Sequence, residues 1–124
     1  MAVIKRVLCP ERLRHVPPQF SWVDHRLIRD RHVAGRSTEA LTLYLFLVTV
    51  ADGRGLSYYS DAGIGKLLPL DAPALARARQ ELIRTRLIAY EKPLYQVLSL
   101  DKPVPRLGQV QSIGQVLRQM ELPT

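Results

Sequence analysis

The stretch Asp71-Ala-Pro-Ala-Leu-Ala-Arg-Ala-Arg-Gln-Glu-Leu-Ile-Arg-Thr-Arg86 decides the fold, because it carries a helix start signal and a one-sided apolar pattern. An aspartate can cap the first free amides of a helix, and a proline fits its first turn, as at Asp71 and Pro73. Apolar residues then recur at helical spacing: Leu75, Ala78 and Leu82, with Ile83 beside them. Polar residues fall on the opposite side: Arg77, Gln80 and Arg84. The pattern predicts a helix that buries one face and offers the other to solvent or a partner.

The residues before this helix predict a buried platform and a short companion helix. The run 40–51 is almost entirely apolar, which is typical of a helix at the centre of a core, and Ser37 or Thr38 can cap it. A turn over residues 52–55 leads into a predicted strand at 56–59. Ser60 then caps a predicted helix over 61–68, which Pro69 ends. The apolar stripe of this helix consists of Ile64, Leu67 and Leu68.

The residues after the opening stretch predict a β-hairpin. Residues 87–90 and 94–100 are both β-prone, and the polar turn Glu91-Lys92-Pro93 separates them. Two helices joined by a tight turn and followed by a hairpin make a helix-turn-helix with a wing. The predicted fold class is therefore mainly α with a small β-hairpin (α+β). In such a layout the helix can enter the major groove of DNA, and the hairpin can reach phosphates or the minor groove.

The outer segments are less regular. The sequence predicts four parts: a basic, partly ordered arm (residues 1–20), the winged domain (21–100), a Pro-containing linker (101–106) and an amphipathic C-terminal tail (107–124). At the start of the domain, residues 24–32 predict a short charged helix that turns Leu27 and Ile28 toward the core. The tail carries an apolar stripe that can pack on its own domain, on a second copy or in a partner's groove. Its predicted contact residues are Ile113, Leu117 and Met120.

Composition and charge narrow the function classes. Of 124 residues, 47% are apolar, which supports a core and excludes a globally disordered chain. Lys and Arg number 18 against 11 Asp and Glu, and the net charge of +7 favours a polyanionic partner. The apolar run 40–51 is shorter than the roughly 20 residues that cross a membrane. The single cysteine, Cys9, excludes an internal disulfide, and with no signal peptide we expect a cytoplasmic protein.

Five stretches within residues 39–100, about half of the chain, carry a family resemblance. They are Ala40-Leu-Thr-Leu-Tyr-Leu-Phe-Leu47 with Ala51-Asp-Gly53, then Leu56-Ser-Tyr-Tyr-Ser-Asp-Ala-Gly-Ile-Gly65, Leu67-Leu-Pro-Leu-Asp71 and Gln80-Glu-Leu-Ile-Arg-Thr-Arg-Leu-Ile88. In order and spacing they resemble the winged helix-turn-helix domains of bacterial replication-initiator and primosome-type proteins and of related regulators. The resemblance implies a DNA-binding protein of transcription control, or of the replication or transposition of a bacterial mobile element.

Two features depart from that family. Where the family usually has glycine between the recognition helix and the wing, this chain has Arg86, so the turn is built differently or Arg86 reaches a phosphate. The positions that usually read bases with Ser, Arg, Thr or Gln are here small and apolar: Ala72, Pro73, Ala74 and Ala76. Such residues supply no hydrogen-bond code, and only Arg77 and Gln80 can read bases by hydrogen bonds. We therefore expect weak sequence specificity, or a face that binds protein instead.

The candidate site residues follow from this layout. The candidate DNA contacts are Ser60, Lys66, Ala72, Pro73, Ala76, Arg77, Gln80, Arg84, Arg86 and Lys92, and Lys5, Arg6, Arg12 and Arg14 are candidate arm contacts. For each charged residue the ordinary alternative is a solvated surface. We expect no catalytic residue, no cofactor and no metal, because the three histidines lack ligand spacing. The expected partner is double-stranded DNA, bound by a dimer; the alternative is a protein-interaction module that docks through its tail.

Overall fold

The structure is a computed structural model that describes residues 3–101. A 3-10 turn at Pro10–Arg12 precedes the main elements. Within the described residues these are α1 (Arg26–Arg29), α2 (Thr38–Val50), β1 (Leu56–Tyr58), α3 (Asp61–Leu67), α4 (Ala72–Arg84), β2 (Ile88–Glu91) and β3 (Leu94–Val97). The α+β prediction is confirmed, and the order of elements is compatible with a winged helix. The linker beyond Asp101 and the predicted tail lie outside the described residues.

Each of the three longer helices begins at a cap that the sequence predicted. The Ser37 hydroxyl accepts a hydrogen bond from the Ala40 amide at 3.0 Å, and the Ser60 hydroxyl accepts one from the Gly63 amide at 3.0 Å. An Asp71 carboxylate oxygen accepts a hydrogen bond from the amide of Ala74 at 2.9 Å. Each cap satisfies an amide that has no partner within its helix. The caps were predictable because they depend only on residues three apart.

The core lies between α2, α4 and the sheet. Side chains of Leu43 and Leu47 on α2 are fully buried, as are Leu82 on α4, Ile64 on α3 and Tyr95 on β3. The predicted stripe on α4 is confirmed, because its apolar residues are buried at helical spacing. This packing fixes one face of α4 against α2 and the sheet and leaves the opposite face outside.

The sheet has three antiparallel strands in the order β1-β3-β2. The predicted hairpin is formed by β2 and β3, and β1 adds to its other edge with Ser57 opposite Tyr95. The sequence predicted all three strands, but not that the first would pair with the last. Gly55 lies at this junction with φ +86°, and its carbonyl accepts a hydrogen bond from the Val97 amide at 2.8 Å.

Two apolar residues, Ile28 and Leu67, were wrongly expected to face the core. The charged helix predicted over 24–32 is only α1, which ends because Arg31 takes a left-handed conformation with φ 62°. With one short turn available, Leu27 is buried and Ile28 is 71% exposed. Leu67 is 62% exposed, because α3 ends there and the extended Leu68 turns back toward the core instead. Tyr58 alternates outward on β1 and is 70% exposed.

The N-terminal stretch keeps its apolar side chains in solvent. The described part of the arm has only the 3-10 turn as a regular element, and four of its apolar side chains are exposed: Val3, Ile4, Val7 and Leu8. Phe20 and Trp22, which follow the arm, are 67% and 75% exposed. The region is tied to the domain nearby, where the Ser21 hydroxyl donates to the Thr49 carbonyl at 2.8 Å.

Candidate nucleic-acid interface

The outward face of α4 carries most of the sequence-predicted DNA contacts. Because 3.6 residues make a turn, the residues opposite the buried leucine stripe form a second stripe along the helix. That stripe is exposed over its whole length and consists of Pro73, Ala76, Arg77, Gln80 and Arg84. Ala72 is also exposed, at the first turn. The structure therefore brings these six predicted residues together on one surface.

One residue of the expected base-reading set does not belong to this surface. Ala74 is only 6% exposed and lies on the core side of α4, where its amide is held by the Asp71 cap. Its inclusion among the base-reading positions was wrong, because Pro73 and Ala74 stand about 100° apart on the helix. The outward face thus has three small apolar residues near its start, Ala72, Pro73 and Ala76, and polar side chains beyond them.

Arg77 is partly engaged by an acid from α2. Its guanidinium lies 3.2 Å from a carboxylate oxygen of Glu39, and the two side chains are 64% and 39% exposed. An ion pair this exposed contributes about 0–1 kcal/mol, so a phosphate can compete for the arginine. Glu39 therefore lowers the positive charge of the face without removing it.

Glu81 joins the start of α2 to α4. One carboxylate oxygen accepts a hydrogen bond from the Ser37 amide and the other accepts one from its hydroxyl, both at 2.8 Å. The amide hydrogen bond, then the hydroxyl, and then the nearby charges of Arg36 and Arg84 lower the pKa of Glu81. The same serine hydroxyl also accepts from the Ala40 amide, so one side chain caps α2 and binds α4. This contact fixes the angle at which α4 presents its outer face.

Arg79, which was not among the predicted site residues, fixes the hairpin and α3 to α4. Its side chain is 14% exposed and lies 2.9 Å from a carboxylate oxygen of Asp61 at the start of α3. The same guanidinium nitrogen donates to the Tyr95 hydroxyl at 2.8 Å, and the guanidinium carbon lies 4.6 Å from the centre of the Tyr90 ring. Buried charges are found with partners, and here both a carboxylate and a phenol supply them. Arg79 therefore positions the elements beside the face rather than belonging to it.

A signal for Arg79 was present in the sequence. It stands four residues after Leu75 and three before Leu82, which is the spacing of the buried stripe. An arginine at such a position must either turn to solvent or meet an acid. The acid, Asp61, lies on another helix, and nothing in the local pattern identifies it.

The turn from α4 into the hairpin keeps a glycine-like conformation although it has an arginine. Arg86 has φ 63°, its amide donates to the Ile83 carbonyl, and the Leu87 amide donates to the Leu82 carbonyl, both at 3.0 Å. This is the Schellman arrangement that ends many helices, usually with glycine at the left-handed position. Of the two alternatives for Arg86, a differently built turn is wrong. The exposed Arg86 side chain lies between the end of α4 and the hairpin.

The remaining predicted contacts lie on α3, the hairpin tip and the arm. Ser60 and Lys66 are exposed at the two ends of α3, and Lys92 is exposed in the turn between β2 and β3. The four predicted arm contacts are exposed as well: Lys5, Arg6, Arg12 and Arg14. The predicted tail contacts Ile113, Leu117 and Met120 lie outside the described residues.

Two other kinds of feature are absent from the described part of the chain. In residues 3–101 there is no cluster of three or more His, Cys, Asp or Glu side chains suited to a metal ion. None of the helices within that range has the length and apolar character of a membrane-spanning segment.

Comparison with known proteins identifies no relative for this chain. No protein-family model matches it, and neither the curated proteins nor the solved structures gave a significant match. The resemblance to winged helix-turn-helix domains of replication initiators therefore stays a prediction.

Proposed function

We propose that this chain is a winged-helix protein that binds double-stranded DNA, largely through phosphates. The observation that carries the proposal is the outward face of α4, an exposed stripe with Arg77, Gln80 and Arg84 beside a hairpin. At 13 residues α4 is about 20 Å long, and an α-helix of this size fits the major groove. The net charge of +7 favours approach to a polyanion.

The chemistry of the face favours phosphate contacts over base reading. Pro73 and Ala76 can contact a thymine methyl but cannot donate or accept a hydrogen bond through their side chains. Gln80 has the one side chain on the stripe that can both donate to and accept from a base edge. Arg77, Arg84, Arg86 and Lys92 are the charged contacts to phosphates in this proposal. Binding is then expected to be weakly sequence-specific, as suits an accessory factor of transcription, replication or transposition.

A salt titration of DNA retention tests the proposal. If the interface neutralises about four or more phosphates, log K falls against log salt with a slope of about −3.6 or steeper. Replacing Arg77→Ala and Arg84→Ala together removes two contacts and makes the slope shallower by about 1.8. The matched control is Arg29→Ala with Arg54→Ala, which removes the same charge from α1 and from the turn before β1. Equal losses in the two double variants, or a flat salt dependence, would reject the proposal.

A gain-of-function variant tests the same face in the opposite direction. Glu39→Gln removes the carboxylate that competes with phosphate for Arg77, so DNA affinity is expected to rise. Asp30→Asn changes the net charge by the same amount at the end of α1, outside α4 and the hairpin, and serves as the control. If both variants strengthen binding equally, the effect belongs to net charge and α4 is not the DNA-binding element.

A second candidate function is a winged helix used as a protein-interaction module. The observation that favours it is the apolar start of the α4 face, with the exposed side chain of Leu67 at the end of α3. Such a surface binds a partner through burial of apolar area, and its affinity depends weakly on salt. Gln80→Ala with Arg77→Ala separates the two functions: loss of DNA retention in a folded protein supports DNA binding, and unchanged retention supports the protein module.

A further inference from the structure

The structure has a partly open groove that is lined by none of the residues on the outer face of α4. Its cavity volume is about 520 Å³, and its walls come from the segment before α1, from α2, from the turn before β1 and from the chain that leaves β3. Phe20 and Trp22 lie on one wall, and Tyr44 and Val48 of α2 lie on another. The groove therefore combines aromatic and aliphatic side chains from parts of the chain that are far apart in sequence.

The apolar wall of this groove is open to solvent in the described residues. Phe20, Trp22 and Val23 are 67%, 75% and 55% exposed and follow one another closely in the chain. Single exposed apolar residues are ordinary, but neighbouring ones that line a concave surface mark a docking site.

The described chain ends at the edge of the same groove. Asp101 lines it and is bound there by Arg26, which also binds Asp24 in the segment before α1. The segment that follows residue 101 is therefore tethered at the groove. Residues 102–106 reach about 17 Å when extended, which is enough to place the next segment along it.

The segment that comes next has the right pattern to occupy the groove. Between residues 107 and 124 the apolar residues recur at helical spacing, as Val110, Ile113, Val116, Leu117 and Met120. Gly114 disfavours a helix in isolation, so this stripe needs a surface on which to form. We propose that residues 107–124 dock their apolar stripe into the groove beside Trp22 of the same chain.

Attachment favours the chain's own segment over other occupants. A short tether supplies an effective concentration in roughly the millimolar range, well above that of a free partner or of a second copy in dilute solution. Fixing Asp101 at the rim shortens the search further. The proposal concerns a different surface from the α4 face and does not depend on DNA binding.

Trp22, the single tryptophan of the chain, reports directly on the groove. In the full-length protein we expect its fluorescence emission at a shorter wavelength, and its quenching by acrylamide weaker, than in the full-length variant Ile113→Glu with Leu117→Glu. The matched control is Gln111→Glu with Gln115→Glu, which places the same charge on the opposite side of the stripe and leaves both readings unchanged. Far-UV circular dichroism checks that every variant keeps its folded domain.

A synthetic peptide of residues 107–124 completes the test. Added to the Ile113→Glu, Leu117→Glu variant, it is expected to restore the shorter emission wavelength with a dissociation constant below roughly 1 mM, the range of the tether's effective concentration. Identical Trp22 emission in wild type and in both variants overturns the proposal. So does a wild-type emission shift that disappears on dilution while light scattering shows a dimer dissociating, because the occupant is then a second copy.

Discussion

Gly55 lies where the turn after α2 meets β3, and backbone atoms of β3 occupy the space that a side chain would need. A Cβ atom built there lies 2.6 Å from the Val97 carbonyl oxygen, and the residue has φ +86°. Gly55→Ala is expected to destabilise the protein by about 1–3 kcal/mol, because the clash involves backbone and the conformation disfavours a side chain. Gly53→Ala is the control: apart from its chain neighbours, no heavy atom of the described chain lies within 4 Å of its Cβ. Equal midpoints of urea unfolding for the two variants would contradict the prediction.

Arg31 and Arg86 both hold a left-handed conformation after a helix, with φ 62° and 63°. Replacement by glycine relieves about 1–2 kcal/mol of backbone strain in the folded state. Glycine also raises the entropy of the unfolded chain, which offsets part of that gain, so the free energy of unfolding of each variant should rise by about 0.5–1 kcal/mol. The two substitutions differ in their expected effect on DNA binding. If Arg86 contacts a phosphate, Arg86→Gly makes the slope of log K against log salt shallower by about 1, while Arg31→Gly leaves that slope unchanged. Equal slopes would remove Arg86 from the interface.

At the scale of elements, Arg79 determines how the hairpin and α3 sit against α4. Arg79→Met keeps the length of the side chain but leaves the fully buried Tyr95 hydroxyl without its donor, at a cost of about 1–3 kcal/mol. Arg77→Met, on the exposed face of the same helix, is expected to cost about 0–1 kcal/mol. Urea unfolding of both variants measures the difference. An Arg79 variant as stable as the Arg77 variant would show that the buried contacts do not hold these elements.

The boundaries and faces of the longer elements could be predicted because their causes are local. A cap lies three residues from the amide it satisfies, and the stripe of α4 repeats within one helix. The contacts that orient the elements are not local: Ser37 binds Glu81, 44 residues away, and Arg26 binds Asp101, 75 residues away. Periodicity carries no information about such pairs. Periodicity also could not show which of Leu27 and Ile28 is buried, because α1 is too short to show a period.

At the scale of the whole molecule, Arg26 connects the segment before α1 with the chain that leaves β3. It binds the carboxylates of Asp24 and Asp101, and so holds two walls of the Trp22 groove together. The hydrogen bonds from the Arg26 side chain and then from its amide lower the pKa of Asp24 from 3.8 to about 2. The hydrogen bond from Arg26 also lowers the pKa of Asp101. Both carboxylates are therefore bound in their charged form.

This linkage gives stability a defined dependence on acid. A carboxyl group whose pKa is lower in the folded state stabilises the protein above its unfolded pKa, and the contribution is lost as the pH falls through the folded pKa. For Asp24 the loss is expected between about pH 4 and pH 2. Asp24→Asn should lower the urea midpoint at neutral pH and flatten its decline across this window, with Asp30→Asn as the control for one lost surface carboxylate. If wild type and Asp24→Asn decline in parallel below pH 4, the contact between Asp24 and Arg26 does not contribute to folding.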